Sequence, residues 1–259
     1  MLDETEGRVA VVTGAGSGIG RELCRQLGKL GMRLVLIDID AVRIDESIDL
    51  LGRSGGARGY AIDVGDQAAV DRVAGEVLGE LGPPAFLVNS AGSLGPFAGH
   101  AWEYTGQEWQ ALLGVNLYGP VNTIRAFLPA MRQLAEPAHV CVIASGAGLI
   151  PGNRTAPYYA SKHAAVAFTE NLEIELRAEG SPVGVSLVCP GAVRTNINLA
   201  AREAGKFNSP SSDWLEPEQA AEVILRAVRR GQFYVFTHDS LRDRVTAYQH
   251  RVLAAFDER

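Results

Sequence analysis

Two patterns of apolar residues alternate along the chain. Short unbroken runs of Val, Ile and Leu recur between longer segments whose apolar residues are three or four positions apart, such as Leu23, Leu27 and Leu30. The second spacing is typical of amphipathic helices, whereas an unbroken apolar run indicates a strand that helices cover on both faces. Seven strands are predicted, at Arg8–Thr13, Arg33–Ile37, Ala57–Ile62, Ala85–Val88, His139–Ala144, Val183–Val188 and Phe233–Phe236. Strands that alternate with helices predict a doubly wound α/β fold with a parallel sheet.

The pattern continues to the end of the chain without a linker. A chain of 259 residues that is 47% hydrophobic fits one α/β domain, so we predict a single domain over residues 1–259. Asn, Ser, Pro and Gly crowd together over Gly205–Asp213, which predicts a loop within a substrate lid at about 195–215. Helices are predicted after it, at Glu216–Arg230 and Asp239–Phe256.

The last predicted helix carries an apolar stripe along one side. Its members are Leu241, Val245, Tyr248, Val252 and Phe256. A stripe of this kind predicts packing on the domain or on a neighbouring subunit. Attachment to a membrane surface is the alternative.

Charge and cysteine content argue against several classes of protein. The formal net charge is −6 and no run of five like charges occurs, so no nucleic-acid partner is expected. No segment approaches the roughly 18 uninterrupted apolar residues of a membrane span. The first residues, Met1–Glu6, are acidic where a secretory signal is basic, and Cys24, Cys141 and Cys189 fall in apolar segments that suit reduced thiols. We therefore expect a cytoplasmic protein, and the widely spaced histidines favour no metal site.

A glycine-rich turn follows the first predicted strand. Gly14, Gly18 and Gly20 lie in the segment Thr13–Gly20, which runs directly into a helical pattern. Glycines let the backbone approach a pyrophosphate closely, and the amides at the start of the helix stabilise its charge. A dinucleotide site is therefore predicted, with Gly14, Ser17, Gly18, Ile19 and Gly20 as its turn. A purely structural glycine turn is the alternative.

Asp38 ends the second predicted strand, eighteen residues beyond Gly20. At this position a carboxylate accepts hydrogen bonds from the adenosine ribose hydroxyls and repels a 2′-phosphate. With Ser17 in the turn and no Arg or Lys directly after Asp38, the sequence predicts NAD as cofactor. Asp40 and Arg43 follow closely and leave NADP open.

Two further strand ends carry small or polar residues that suit a flat cofactor. Asp63 and Val64 follow the third strand and are predicted to contact adenine. Asn89, Ala91 and Gly92, in the segment Asn-Ser-Ala-Gly, close the fourth strand and are predicted to border the cofactor. Plain strand-end turns are the alternative at both places.

Tyr158 and Lys162 are four residues apart in a helical pattern, so their side chains share one face. An adjacent ammonium favours a phenolate and would lower the tyrosine pKa from about 10. Ser145 ends the fifth strand, thirteen residues before Tyr158, and ligands bind at the carboxyl ends of strands in an open parallel sheet. The pattern predicts proton transfer at the edge that holds the glycine turn.

Taken together, these segments resemble the short-chain dehydrogenase/reductase family, from about residue 8 to residue 236. The motifs are Thr13-Gly14-x-x-x-Gly18-Ile19-Gly20, Asn89-Ser90-Ala91-Gly92, Asn116, Ser145, Tyr158-x-x-x-Lys162 and Pro190-Gly191. One departure is Ser90, where the family usually has a second Asn. The resemblance implies a Rossmann-type sheet of seven strands with helices on both faces.

The resemblance also implies roles for these residues. Tyr158 would be general acid or base, Lys162 would lower its pKa and hold the nicotinamide ribose, and Ser145 would position the substrate oxygen. The backbone carbonyl of Asn116 would help to hold a water in a proton relay. The residues implied around the nicotinamide are Ile19, Pro190, Gly191, Val193 and Thr195.

These observations predict an NAD-dependent dehydrogenase or ketone reductase that acts on a secondary alcohol. The segments Ser93–Trp102, Gly146–Ala156 and Thr195–Leu215 are predicted to form a substrate pocket, and ordinary lid packing is the alternative. Its apolar candidates are Leu94, Phe97, Trp102, Leu149, Ile150, Phe207 and Trp214, and its cations are Arg154, Arg202 and Lys206. A fairly bulky cyclic, terpenoid or steroid-like substrate fits best.

Three other functions stay open at this point: an NADPH-dependent ketone reductase, an NAD-sensing module without catalysis, and a scaffold that keeps only the fold. Ser145, Tyr158 and Lys162 argue against the last two, because a binder needs no proton-transfer group. The resemblance also implies a homotetramer built through the helices at Thr105–Met131 and Tyr158–Arg177, with a dimer as the next alternative.

Overall fold

The structure is a computed structural model that describes residues 5–52, 56–96, 99–198 and 213–257. Part of the predicted lid, residues 199–212, lies outside these ranges. Among the predicted pocket residues, Phe97, Arg202, Lys206 and Phe207 also lie outside them.

One parallel sheet runs through the described part of the chain, with seven strands in the order β3-β2-β1-β4-β5-β6-β7. The strands are β1 (Val9–Thr13), β2 (Arg33–Asp38), β3 (Arg58–Ala61), β4 (Phe86–Asn89), β5 (Ala138–Ile143), β6 (Val183–Cys189) and β7 (Tyr234–Phe236). The predicted doubly wound fold is confirmed, and each predicted strand end lies within one residue of the observed one. The chain reverses direction across the sheet between β3 and β4, which leaves a crevice beside β1 where such folds bind ligands.

Helices cover both faces of the sheet. They are α1 (Gly18–Lys29), α2 (Ala41–Leu51), α3 (Gln67–Glu80), α4 (Gly106–Leu113), α5 (Gly119–Met131), α6 (Ala156–Ala178), α7 (Pro217–Arg229) and α8 (Leu241–Ala254). A π turn at Gly114–Tyr118 joins α4 to α5, and 3₁₀ turns lie at Gly146–Gly148 and Asn196–Asn198. The two helices predicted after the lid are confirmed as α7 and α8.

Strand β1 shows why the strands are unbroken apolar runs. All five of its residues are buried. Ala10 and Val12 belong to the core layer that contains Leu23 of α1, whereas Val9 and Val11 belong to the layer on the opposite face. Successive side chains of a strand point to opposite faces, and here both faces are covered, so the four residues before Thr13 are all apolar.

Helix α8 is anchored mainly at its first residue. Leu241 is buried, but Val252 is 42% exposed and Phe256 is 63% exposed. The second half of the apolar stripe therefore does not pack on the domain. Packing on a neighbouring subunit stays a prediction. Among the helices that the structure describes, none has the length and apolar character to cross a bilayer.

Candidate active site

A cavity of about 850 Å³ lies along the carboxyl ends of the strands, where open parallel sheets bind their ligands. It brings together residues that the sequence analysis selected from distant parts of the chain. The predicted residues that line it are Gly14, Ser17, Gly18, Ile19, Asp38, Asp63, Val64, Ala91, Gly92, Ser145, Tyr158, Lys162, Pro190, Gly191, Val193 and Thr195. Gly20, Asn89 and Asn116 lie behind the lining.

The glycine turn forms a close-fitting cradle at one end of this cavity. Gly14 and Gly18 adopt left-handed backbone angles, with φ of 65° and 53°. A Cβ atom at Gly14 would lie 2.7 Å from the amide nitrogen of Ala91, and one at Gly20 would overlap the carbonyl oxygen of Gly14. Ser17 precedes α1 but makes no side-chain capping bond to it. Such a turn, followed by helix amides without a side-chain cap, fits a pyrophosphate.

Asp38 lies beside the cradle, at the end of β2. Its carboxylate accepts hydrogen bonds from the amides of Gly16 at 2.8 Å and Asp40 at 3.1 Å, which fixes the side chain against the turn. Arg43 lines the same end of the cavity, but its guanidinium pairs with Asp40 at 3.2 Å. This end of the cavity therefore presents a carboxylate that is held in place and a cation that already has a carboxylate partner.

The third and fourth strand ends differ from each other. Asp63 and Val64 both line the cavity, and their contact with adenine stays a prediction. Asn89 is 2% exposed and its side-chain oxygen accepts a hydrogen bond from Thr123. The Asn89 side chain therefore points towards α5 and fixes the strand end, and a contact between this residue and the cofactor stays a prediction.

Ser145, Tyr158 and Lys162 meet in the cavity at the ends of β5 and α6. The Lys162 ammonium donates a hydrogen bond to the carbonyl oxygen of Ile143 at 3.1 Å and lies 5.9 Å from the centre of the Tyr158 ring. The Ser145 side chain interacts with the Tyr158 hydroxyl and lowers its pKa, and the Ser145 oxygen accepts the amide of Ala147 at 3.1 Å. A proton can therefore pass between these groups and a substrate oxygen.

Burial shifts the pKa values of Lys162 and Tyr158 in opposite directions. Lys162 is 3% exposed, and burial lowers its pKa to about 8. Burial raises the pKa of Tyr158 above its ordinary value, against the lowering effect of the hydrogen bond with Ser145. In the protein without cofactor the desolvation of the phenolate dominates, and the lowering of the Tyr158 pKa by Lys162 stays a prediction.

Asn116 supports the site from behind. It lies in the π turn, is 1% exposed, and exchanges two hydrogen bonds of 2.9 Å with the backbone of Ser93. Its amide also donates to the Ser161 hydroxyl at 2.9 Å. The side chain therefore ties the segment after β4 to α6, the helix that carries Tyr158, and π turns are frequent at functional sites.

Sequence reasoning missed a strained turn in front of Tyr158. Arg154 and Thr155 both have left-handed backbone angles, with φ of 60° and 50°, although neither is glycine. The amide of Thr155 donates to the Tyr104 hydroxyl at 3.1 Å, and the carbonyl of Thr155 accepts the amide of Tyr158 at 3.0 Å. Tyr104 thus stabilises a turn that costs about 1–3 kcal/mol per strained residue.

Replacement of Tyr104 by Phe tests this support. We expect kcat to fall about tenfold with KM little changed, because the turn relaxes and Tyr158 shifts relative to Ser145, while the cofactor cradle is untouched. Steady-state kinetics at saturating cofactor measure kcat and KM separately. Tyr118→Phe, which removes a hydroxyl from a side chain that is 54% exposed, is the control. An unchanged kcat, or equal losses in both variants, contradicts the positioning role.

The predicted substrate pocket is partly different in the structure. Leu94 and Ile150 line the cavity as predicted. Trp102 does not: it is 80% exposed and stacks on His100, because its loop turns outward. Leu149 and Trp214, and among the predicted cations Arg154, are also absent from the lining.

Residues of the first turn of α8 line the substrate end of the cavity. Leu241 and Arg244 line the cavity, and a Cβ atom at Gly146 would lie 2.5 Å from the Leu241 side chain. The sequence analysis placed Leu241 in the stripe of α8 and selected Arg244 for no site. The only available signal was the three-residue spacing that puts both on one helix face.

A family model and a named relative both match most of the chain. The family model described as short chain dehydrogenase matches residues 8–206. The 1-deoxy-11-beta-hydroxypentalenate dehydrogenase of Streptomyces avermitilis is 33% identical over 237 residues, which cover 91% of this chain and 86% of that protein.

Two solved structures are similar over most of their length. A short chain dehydrogenase/reductase from Burkholderia phymatum in complex with NAD has a TM-score of 0.88 and 33% identity, with 97% of this chain and 96% of that chain covered. A metagenomic short-chain oxidoreductase in complex with NADP has a TM-score of 0.73 and 34% identity, with 90% and 96% covered. Both neighbours therefore bind a nicotinamide cofactor, but only the cofactor of the second carries a 2′-phosphate.

Proposed function

The chain belongs to the short-chain dehydrogenase family, and from this premise we propose that it is an NAD-dependent dehydrogenase of a bulky, mostly apolar secondary alcohol. As a member of the family it is an oxidoreductase that transfers hydride between a nicotinamide cofactor and an alcohol or ketone. The observation that carries the proposal is the meeting of Ser145, Tyr158 and Lys162 in one cavity with the glycine cradle. Reduction of NAD at 340 nm with a bicyclic alcohol such as borneol tests it, and an absence of turnover across cyclic and polycyclic alcohols would argue against it.

The residues that would hold the cofactor follow the cavity from end to end. Gly14, Ser17, Gly18 and Ile19 would hold the pyrophosphate, and Asp38 the adenosine ribose. Asp63 and Val64 would border the adenine. At the other end, Pro190, Gly191, Val193 and Thr195 would border the nicotinamide.

The cofactor, when bound, supplies the hydride acceptor for oxidation and the donor for reduction. In oxidation, Tyr158 as phenolate takes the proton of the substrate hydroxyl, and in reduction the phenol returns it. Ser145 donates a hydrogen bond that positions the substrate oxygen beside Tyr158. Lys162 would hold the ribose hydroxyls through its ammonium, which donates a hydrogen bond to the carbonyl of Ile143 at 3.1 Å. The backbone at Asn116 would complete a proton path to Lys162.

Asp38 is the proposed basis for NAD over NADP. Asp38→Asn keeps an oxygen for the amide of Gly16 but removes the negative charge that opposes a 2′-phosphate. We expect the ratio of kcat/KM with NAD to kcat/KM with NADP to fall about tenfold or more, since one charge contact is worth about 1.4 kcal/mol. Asp71→Asn on α3, which removes a surface carboxylate that pairs with Arg125, is the control. A ratio equal to wild type in Asp38→Asn would refute the assignment.

Cavity size and lining support a bulky substrate. The cavity of about 850 Å³ extends beyond the proposed cofactor residues to Leu94, Val115 and Ile150, which form an apolar wall. The related Streptomyces avermitilis protein is named for a hydroxypentalenate. We propose a cyclic or terpenoid-like secondary alcohol as the substrate of this chain as well.

Assembly and compartment are proposals of the same kind. Ile174 on α6 is 61% exposed and Tyr118 is 54% exposed, so both helices of the expected contact present apolar side chains. This supports a homotetramer, with a dimer as the alternative. Cys24, Cys141 and Cys189 are buried free thiols, which supports a reducing, cytoplasmic location.

A further inference from the structure

Three cationic side chains line the cavity within the part of the chain that the structure describes: Arg43, Lys162 and Arg244. Arg43 pairs with Asp40 at 3.2 Å, and Lys162 donates to the carbonyl of Ile143 at 3.1 Å. Arg244 is exposed and has no hydrogen bond or ion pair among the described residues. It is therefore the cation of this set that is available to a ligand.

The position of Arg244 places it at the substrate end. It follows Leu241 by three residues on α8, so the two side chains lie on one helix face. Leu241 packs against Gly146, the residue next to Ser145. Arg43, in contrast, lies at the end of the cavity marked by Asp38. A group that reaches Arg244 therefore shares its end of the cavity with Ser145.

The charge around Arg244 is not balanced within the lining. The carboxylates of the lining are Asp38 and Asp63, both at the adenosine end. Asp243 precedes Arg244 on α8, but neighbours in a helix point in different directions and Asp243 is not in the lining. The substrate end thus combines a guanidinium with apolar side chains, and a guanidinium matches a carboxylate in geometry and charge.

We propose that Arg244 binds a carboxylate on the substrate, so that the preferred substrate is an apolar hydroxy acid whose acid group lies away from the reacting hydroxyl. The inference rests on the proposed dehydrogenase function and deepens it. A phosphate of the cofactor has related chemistry, and the experiment below separates the two anions.

The test compares an acid with its methyl ester. Lithocholate and trans-4-hydroxycyclohexanecarboxylate, each with its methyl ester, are assayed with NAD in wild type, Arg244→Gln and the control Arg242→Gln, a neighbouring exposed arginine outside the cavity lining. In wild type, at least one acid should have a kcat/KM about tenfold above that of its ester. Arg244→Gln should bring this ratio close to one by raising KM for the acid, with the ester and kcat little changed. Arg242→Gln should keep the wild-type ratio.

Other outcomes overturn the inference in distinguishable ways. An acid-to-ester ratio that is the same in Arg244→Gln and wild type contradicts the carboxylate contact. Weaker NADH binding in Arg244→Gln, measured by fluorescence titration without substrate, with acid and ester affected alike, assigns Arg244 to the cofactor instead. Turnover of neutral alcohols such as borneol at rates above those of both acids contradicts acid preference but leaves the dehydrogenase intact. Absence of turnover with every alcohol, acid and ester contradicts the proposed function itself.

Discussion

Replacement of Tyr158 by Phe should lower turnover by roughly 10²–10⁴-fold, the usual contribution of a positioned acid or base. The variant loses only the hydroxyl that exchanges a proton with the substrate oxygen. Packing should change little, because the ring stays in place on α6, with its neighbour Tyr159 edge-on at 6.1 Å between ring centres. Steady-state rates with saturating NAD and alcohol measure the loss.

Cofactor binding separates a chemical role from a structural one. The dissociation constant of NADH, from fluorescence titration, should stay within about threefold of wild type in Tyr158→Phe, since the substitution leaves the cradle at Gly14 and Gly18 unchanged. The control Tyr118→Phe should keep its turnover. Wild-type rates in Tyr158→Phe would mean that another group carries the proton.

Lys162→Met should make the protein more stable while it abolishes efficient turnover. Burial lowers the Lys162 pKa to about 8 from an ordinary value of 10.5. At pH 7 the charged lysine therefore costs the folded state about 3 kcal/mol. Loss of its bond to the carbonyl of Ile143 offsets about 1 kcal/mol of that. The free energy of unfolding should thus rise by about 2 kcal/mol.

The way in which the stability difference changes with pH shows whether burial of the Lys162 ammonium causes it. A cation with a lowered folded-state pKa imposes its full penalty below about pH 8, and the penalty fades as pH rises to about 10.5. Urea unfolding of wild type and Lys162→Met should therefore show a stability difference that shrinks across this window. The exposed Lys29 offers the control variant Lys29→Met, which should show neither the gain nor the trend. A variant less stable than wild type at pH 7, with a constant difference, would mean that burial of the ammonium is not a cost.

The strands and the catalytic group could be predicted from the sequence because each has a local signal. Unbroken apolar runs, as in β1, arise wherever two covered faces exclude polar residues. The turn at Gly14 and Gly18 needs left-handed backbone angles that glycine adopts freely, so composition marks the place. Tyr158 and Lys162 share a helix face through their spacing alone.

Other features of the site depend on contacts between distant segments. The left-handed turn at Arg154 and Thr155 contains no glycine, and Tyr104, which holds it, lies about fifty positions earlier in the chain. Arg244 reaches the cavity only because Leu241 is anchored on Gly146. The desolvation that raises the Tyr158 pKa is also a property of the packed structure, so the spacing of Tyr158 and Lys162 does not reveal it.

Isotope labelling tests directly whether hydride passes from the alcohol to the cofactor. An alcohol that wild type oxidises is labelled with deuterium at its carbinol carbon and incubated with NAD, and the reduced cofactor is analysed by mass spectrometry. We expect one deuterium in each reduced cofactor formed by wild type, and labelled product lower by roughly 10²–10⁴-fold in equal time with Tyr158→Phe. Reduced cofactor without deuterium, or equal labelled product from both proteins, would contradict it.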